Sequence, residues 1–468
     1  MVRLQQLLAL AACTSPVLAQ NLFLPATPLT PGSTAANGVR AADFDLDGDV
    51  DVAIGGELWL SDGSGGYSTI TIRPPSGGFD PAPIAVGDLD QDGDLDVVYF
   101  DGVWINHAGT YVDETVARIG SSLSTGAEIE LVFDADGDGD LDLLASWIQV
   151  VSGGYRFLDL ETAHNDGAGN FSNPSTSYLA GGFSVNLRSV VGGDFNGDGF
   201  DDAAFTGSWS DMGYGGQFGG ILNGSGSPVP GSGGLAGRTL VGAADFNNDG
   251  EDDLVTLSAG GTQILFSAVT SQSLGGAGWC SVADFDGDGD SDCLVGSGAG
   301  PFTLNRNDGS GGFSATIVAT PVLPLDLRTI DYADADRDGD ADLFMSGSPR
   351  LWRNARQQLS APTTIAQGAN LELTVDALDA TGPLAGIAAV GLSLGVVDAP
   401  IANLGSLLID PSQMGLLTPA TITNGQGATT FAIPVAANLA GLELFGQALI
   451  DDNGGRLHLS NRVKTVIQ

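Results

Sequence analysis

Through the first three quarters of the chain, apolar residues come in short runs with a period of two. Val52 and Ile54, Val97 and Tyr99, Leu143 and Ala145, and Leu343 and Met345 are spaced in this way. That period belongs to a strand. Each such run leaves a polar, glycine-containing stretch, and another short run enters it, as in Pro83-Ile84-Ala85-Val86 and Ser189-Val190-Val191. A third run follows, for example Leu58-Trp59-Leu60, Val103-Trp104-Ile105, Ile221-Leu222-Asn223, Phe302-Thr303-Leu304-Asn305 or Leu351-Trp352-Arg353-Asn354. Turn signals come next, such as Asn165-Asp166-Gly167-Ala168-Gly169-Asn170-Phe171 and Asn307-Asp308-Gly309-Ser310-Gly311-Gly312-Phe313, and then a further run such as Ser68-Thr69-Ile70-Thr71-Ile72. The pattern predicts four short strands in every ~48 residues, the content of one propeller blade.

The polar stretch between the entering and leaving strands is itself a repeat, Asp-x-Asp/Asn-x-Asp-Gly-x-x-Asp, present seven times. Its copies are Asp43, Asp45, Asp47, Gly48, Asp51; Asp88, Asp90, Asp92, Gly93, Asp96; Asp134, Asp136, Asp138, Gly139, Asp142; and Asp194, Asn196, Asp198, Gly199, Asp202. Three more follow: Asp245, Asn247, Asp249, Gly250, Asp253; Asp284, Asp286, Asp288, Gly289, Asp292; and Asp334, Asp336, Asp338, Gly339, Asp342. We refer to them as loops one to seven, and to the nine positions of each by number.

Alternate carboxylates followed by a glycine able to take positive φ let a chain curl around one hard cation. Oxygen donors select calcium over zinc or copper. Positions one, three, five and nine are expected to give side-chain oxygens and position seven a backbone carbonyl, for up to seven Ca2+. An EF-hand is excluded, because its bidentate glutamate at position twelve is replaced here by Ile54, Tyr99, Ala145, Phe205, Thr256, Val295 and Met345.

The calcium loop together with the Asn-Asp-Gly-x-Gly-x-Phe turn resembles the VCBS and FG-GAP repeats of secreted bacterial proteins. It is also similar to the calcium-loop blades of integrin alpha-subunit propellers, with Gly193-Asp194-Phe195-Asn196-Gly197-Asp198-Gly199 the closest match. The Phe-Gly and Gly-Ala-Pro signatures that name the FG-GAP repeat are not evident. The resemblance covers roughly residues 22 to 356. It implies an all-β fold, a seven-bladed β-propeller over 21–358, with the calcium loops on one face and the links between second and third strands on the other. The stretch 22–29 precedes the first loop and is expected to supply the outer strand of the seventh blade, leaving no long open edge.

From about residue 361 the aspartate loops cease. Alternation in Leu371-Glu372-Leu373-Thr374-Val375, Phe431-Ala432-Ile433 and Leu457-His458-Leu459, with turns at Asn424-Gly425 and Asn453-Gly454, predicts roughly seven strands. Residues 359–468 thus read as a small antiparallel β-sandwich, immunoglobulin-like by pattern.

Composition then narrows the function. The 468 residues carry 57 acids against 16 bases, a formal net charge of −41, and more than half of the acids lie in the seven loops. Such a chain is repelled by nucleic acid and anionic lipid. Residues 1–20 have the basic start, apolar 4–12 stretch and Val17-Leu18-Ala19 site of a secretory signal peptide. Leu10-Ala11-Ala12-Cys13 also matches a lipobox, so lipoprotein anchoring through Cys13 competes with plain secretion. No other apolar run approaches the ~20 residues of a transmembrane segment. Cys280 and Cys293 flank the sixth loop and are read either as a disulfide or as two small buried thiols.

No Gly-x-Ser-x-Gly elbow or phosphate loop is present. His107, His164 and His458 are scattered, which argues against a triad or a histidine metal cluster. The expectation is a non-catalytic, monomeric, secreted or cell-surface module that binds an extracellular protein or glycan. A propeller-type carbohydrate-active lyase or hydrolase and a purely structural surface protein are the alternatives. The candidate ligand surface joins two long aromatic insertions, one with Trp147, Tyr155 and Phe157 after loop three, the other with Trp209, Tyr214 and Phe218 after loop four. Packing of these rings within their own hairpins is the competing reading.

Overall fold

The computed structural model describes residues 27–29 and 38–468, except 63–65, 75–81, 230–232, 259, 268–269, 277–278, 286–288, 297–301, 319–329, 337–340, 346–349, 355–356, 363, 380–381, 384–385, 402–404, 424–425, 436–438, 452–456 and 461. The signal peptide, Cys13, Asp286, Asp288, Asp338 and the turns at Asn424 and Asn453 lie outside the described residues. The protein is all-β, its described helices being Thr115–Arg118 and the single 3-10 turn Gly233–Leu235. Among the described residues no helix is long and apolar enough to cross a membrane.

Each aspartate loop joins the first two strands of its own antiparallel sheet. In the first repeat the sheet runs Val39–Ala42, Asp51–Ile54, Glu57–Ser61, Tyr67–Thr71, and in the second Pro83–Gly87, Asp96–Tyr99, Gly102–Asn106, Tyr111–Asp113. The third is longer: Glu128–Phe133, Asp142–Val150, Arg156–Asn165, Phe171–Gly182. The fourth has three described strands rather than the expected four, Ser184–Gly193, Asp202–Asp211 and Tyr214–Leu222; only a bridge from Leu222 to Pro228 stands at its outer edge. The fifth and sixth are Thr239–Ala244, Asp253–Ser258, Gly261–Phe266, Thr270–Gly275 and Trp279–Ala283, Asp292–Gly296, Phe302–Asn307, Phe313–Val318. In the seventh, Ile330–Ala333, Asp342–Met345 and Arg350–Trp352 take their outer strand from Thr27–Pro28, with Thr27 opposite Leu351. The start of the chain therefore completes its last aspartate-loop sheet.

The first strands touch their neighbours in chain order, and Ile330–Ala333 touches Val39–Ala42. There Asp331 accepts the Ala41 N–H at 2.8 Å. The cores follow the same cycle. Val98, Val103 and Ile105 of the second sheet pack on Leu143 and Ala163 of the third, and Ala204 and Ile221 of the fourth pack on Leu254 and Leu265 of the fifth. Phe344 and Leu351 of the seventh pack on Val52, Ile54 and Trp59 of the first. A second strand lies between two other sheets, so both of its faces are buried. Asp51–Ile54 and Asp96–Tyr99 are buried throughout, which is why position eleven is as apolar as ten and twelve.

Among the described residues, 357–468 form two larger sheets around one core, with Val396–Ile401 and Gly405–Ile409 paired as a separate two-stranded sheet. Leu371, Leu373, Val375 and Phe431 on one face Val390, Ala420, Ala448 and Ile450 on the other. The sequence predicts an antiparallel arrangement of about seven strands. Among the described residues there are twelve, from two to ten residues long, and Thr364–Ile365 runs parallel to Val463–Ile467. That pairing brings together segments a hundred residues apart, which no local periodicity encodes.

Position two of each loop is apolar and plugs the cluster between its own sheet and the next. Phe44, Leu89, Ala135, Phe195, Phe246 and Phe285 all lie in such clusters. Phe246 is fully buried. Phe246→Ala removes a ring that two sheets enclose, and is expected to lower stability by about 3–5 kcal/mol. Denaturant unfolding with m unchanged checks this; a loss below ~1 kcal/mol would show that the plug is dispensable.

Candidate metal centres

In loops one to six the position-one carboxylate accepts the N–H of the position-six glycine, from Gly199 to Asp194 at 2.8 Å to Gly139 to Asp134 at 3.1 Å. Those glycines have φ between 87° and 97°, as the sequence requires. Position four is also left-handed, at Leu46, Gln91, Gly137, Gly197 and Asn248, with φ from 55° to 74°. The sequence hides this requirement, since leucine and glutamine bear it at a cost of about 1–2 kcal/mol.

Position nine opens the second strand, and its aspartate is fully buried in all seven loops. One carboxylate oxygen accepts the position-two N–H, at 2.8 Å from Leu89 to Asp96 and 3.0 Å from Ala335 to Asp342. The other accepts an N–H from the end of the third strand: Ser61, Asn106, Asn165, Ser267, Asn307 and Asn354 donate at 2.6–3.1 Å. In loop four Asn196 Nδ2 instead donates to both oxygens of Asp202, at 3.0 and 2.8 Å.

Asparagines at the third-strand end also tie repeats together. Asn165 Nδ2 donates to the Leu89 carbonyl, Asn307 to Phe246 and Asn354 to Phe285, at 2.8–2.9 Å. Each crosses to position two of the preceding loop. Sequence reasoning missed these residues as functional, although their recurrence after an apolar run was a usable signal.

The donor atoms converge as a hard-cation site needs. Carboxylate oxygens of Asp43, Asp45 and Asp51, of Asp88, Asp90 and Asp96, and of Asp334, Asp336 and Asp342 lie within 4.8 Å of one another, as do those of Asp134, Asp136 and Asp138. Position five of loop three thus joins its group; like Asp47 and Asp92, Asp138 is exposed and accepts the N–H of position seven, at 2.8–3.0 Å. Asp43 Oδ1 and Asp90 Oδ1 are buried without a hydrogen-bond partner. A buried carboxylate oxygen with no donor is costly unless a cation faces it. The residues therefore fit an oxygen-ligated divalent ion.

Burial pushes the Asp51, Asp96, Asp202 and Asp253 carboxyls up to about 7. Neighbouring carboxylates add to this, Asp198 beside Asp202 and Asp249 beside Asp253.

The histidines are not all scattered. His107 pairs with Glu114 at 2.9 Å, and the His458 side chain lies outside the described residues. His164, however, stands against loop three, with Nδ1 at 3.2 Å from Asp142 Oδ2 and 3.5 Å from Asp136 Oδ2. His164 thus joins Asp136 and Asp142 in a group that could hold a metal ion, a juxtaposition that the scattering of the histidines in the sequence does not suggest. His164 is far from Asp136 in sequence, and only the hairpin register joins them.

At the opposite end of the third and fourth sheets the long hairpins meet, the Gly182 backbone lying against the Ser210 carbonyl. Tyr155 contacts Phe157 and Phe183, and Phe157 contacts Tyr178. Trp209 and Phe218 pack on Leu158, Ala180 and Val185. Trp147 is half-buried, across from Asp159. Of the six named aromatics, Tyr214 is the one that stands out into solvent, 79% exposed, and it is joined by Tyr178 at 62% and Met212 at 83%, which the sequence reading did not single out.

Cys280 and Cys293 are free buried thiols rather than a disulfide. Cys280 is opposite Val295 and Cys293 opposite Val282, so the two are diagonal neighbours in one apolar cluster instead of a direct cross-strand pair.

A family model described as FG-GAP-like repeat matches residues 284–345, which contain loops six and seven. No curated protein matches the chain. Among solved structures the chain is similar to one titled "Structure of Dos1 propeller", at 12% identity and a TM-score of 0.37, over 65% of this chain and 75% of that one.

The raised carboxyls predict an inverted pH dependence in protein stripped of divalent ions. The folded state holds protons on these aspartates between pH ~4 and ~7, where the unfolded chain has lost them. Stability is therefore greatest at the acidic end of this window and falls as pH rises through 7. Thermal unfolding in a chelator at pH 5.5 and 8 tests it. A higher melting temperature at pH 8 would show that the buried carboxylates are ionised without a cation.

Proposed function

We propose that residues 21–358 form a seven-bladed propeller whose aspartate loops hold up to seven Ca2+. Residues 359–468 follow as an immunoglobulin-like sandwich. The whole acts, without catalysis, as a secreted or cell-surface module that binds an extracellular protein or glycan. The FG-GAP-like match over loops six and seven and the converging carboxylates support the calcium reading.

The observation that carries the binding reading is the surface at the meeting hairpins of repeats three and four. Tyr178, Tyr214, Met212 and Phe183 are exposed there on two adjoining sheets. Exposed aromatics on a rigid platform suit stacking on sugars or docking a protein. The Asp loops lie at the other ends of the same strands, so cation binding and ligand binding are separable.

Chelation is expected to lower the melting temperature by many degrees. Each site at 100-fold saturation contributes about 2.7 kcal/mol if only the folded state binds. An unchanged melting curve in excess EDTA would remove calcium from the proposal.

A glycan array and extracellular-protein panel supply the ligand. Tyr178→Ala with Tyr214→Ala is then expected to weaken its binding at least about tenfold, as loss of two interface aromatics does. The calcium-dependent melting temperature stays the same, because both side chains are outside the core. Full binding by the double variant would place the ligand on another surface.

A further inference from the structure

We propose that loop three holds a divalent transition metal of the zinc class rather than calcium, through Asp136, Asp142 and His164. The inference takes loop three as a metal loop, as above, and changes which ion it selects. Nδ1 of His164 lies 3.2 Å from Asp142 Oδ2 and 3.5 Å from Asp136 Oδ2. Metal–ligand bonds of about 2.0–2.1 Å in tetrahedral geometry set donor atoms about 3.3 Å apart. The imidazole thus already stands at first-coordination spacing from both carboxylates, and the three ligand atoms lie within 4.8 Å of one another. Calcium, with bonds of about 2.3–2.6 Å, sets neighbouring donors at a similar spacing, so the selection rests on the imidazole, a nitrogen ligand that suits zinc and that calcium's all-oxygen sites do not use.

The site is built from behind. Asp142 Oδ1 accepts the Asn165 N–H at 2.7 Å and Oδ2 the Ala135 N–H at 3.0 Å. Asn165 itself is pinned to the Leu89 and Leu141 carbonyls at 2.8 and 3.1 Å. The residue before Asn165 is therefore delivered to the loop by a fixed backbone. The same position, one before the strand-end donor to position nine, is Leu60, Ile105, Phe266, Arg306 or Arg353 in other repeats. None of those is a neutral nitrogen donor.

A cavity of about 280 Å³ opens onto Asp136 and His164, lined also by Ala135, Asp198, Phe200 and Asn223 from loops three and four and the turn after the fourth sheet. It leaves room for water as fourth ligand. Three protein ligands and an open position form the donor arrangement that takes zinc or cobalt.

The full-length protein is saturated with millimolar calcium and titrated with Zn2+ by calorimetry, and with Co2+ by visible absorption. We expect one equivalent of each to bind, with a tetrahedral Co2+ band, and no displacement by calcium. His164→Asn should weaken Zn2+ binding on the order of 100-fold, since even supporting partners of a metal ligand act on that scale. His164→Gln is the second variant should the first fail to fold, and circular dichroism checks both. No stoichiometric Zn2+ or Co2+ in calcium, or binding that survives both variants, overturns the proposal. The calcium-dependent melting temperature of the unsubstituted protein reports on the other loops. Its absence alongside stoichiometric Zn2+ binding would sink the calcium reading and leave this one standing.

Discussion

Each repeat depends on one buried carboxylate at position nine. Its two oxygens reach the start of the loop and, in six of the seven repeats, the end of the third strand, so one side chain fixes three strand ends. Burying a charge in this way is unfavourable unless hydrogen bonds and a counter-charge compensate it. Backbone N–H groups provide the first. Burial nevertheless pushes these carboxyls up to about 7, against the lowering effect of the backbone donors. The acidic side chains at positions one and three are the arrangement by which a divalent cation would supply the rest.

The clamp also reaches beyond its own sheet. The backbone N–H it holds belongs to position two, whose side chain plugs the cluster shared with the next sheet. The carbonyl of that residue is taken by an asparagine of the next repeat at Leu89, Phe246 and Phe285. Disturbing a loop thus loosens an inter-sheet core, not a surface appendage. Because these cores run in a cycle, closed by Phe344 and Leu351 against Val52 and Trp59, damage at one loop has two neighbouring sheets to affect.

Much of this was legible in the sequence because it is local. The nine-residue spacing marks each loop, the period of two after it marks a strand, and the glycine at six marks a left-handed turn. Closure by residues near the start of the chain followed from counting strands, and Thr27 does stand opposite Leu351. What escaped depends on partners distant in sequence. Asn354 meets Phe285 across 69 residues, His164 meets Asp136 through a hairpin, and Thr364–Ile365 finds Val463–Ile467 in parallel. Leu46 and Gln91 conceal a left-handed backbone behind ordinary side chains. Trp209 and Phe218 looked like ligand contacts by residue type, yet packing against Val185 claims them.

The seven loops share a scaffold but are not chemically equal. Loops four and five replace the position-three aspartate with Asn196 and Asn247, and both carry an extra acid at position eight, Asp201 and Asp252. Asp201 accepts the Asp134 N–H of loop three at 3.2 Å, and Asp252 the Asp194 N–H of loop four at 3.0 Å. Backbone bonds run back beside them, from Asp201 N–H to the Asp134 carbonyl and from Asp252 N–H to that of Asp194. Loops three, four and five are therefore coupled edge to edge by paired hydrogen bonds. Elsewhere a base approaches position three, Arg118 at Asp90 and Arg353 at Asp336, at 2.9 and 3.3 Å. A guanidinium there offsets charge that a cation would otherwise offset alone. The lost carboxylate at position three and the gained one at position eight thus move charge from ion coordination to contact between neighbours. The stretch where that exchange occurs adjoins repeat three, whose loop faces an imidazole and whose hairpin shares the exposed aromatic surface.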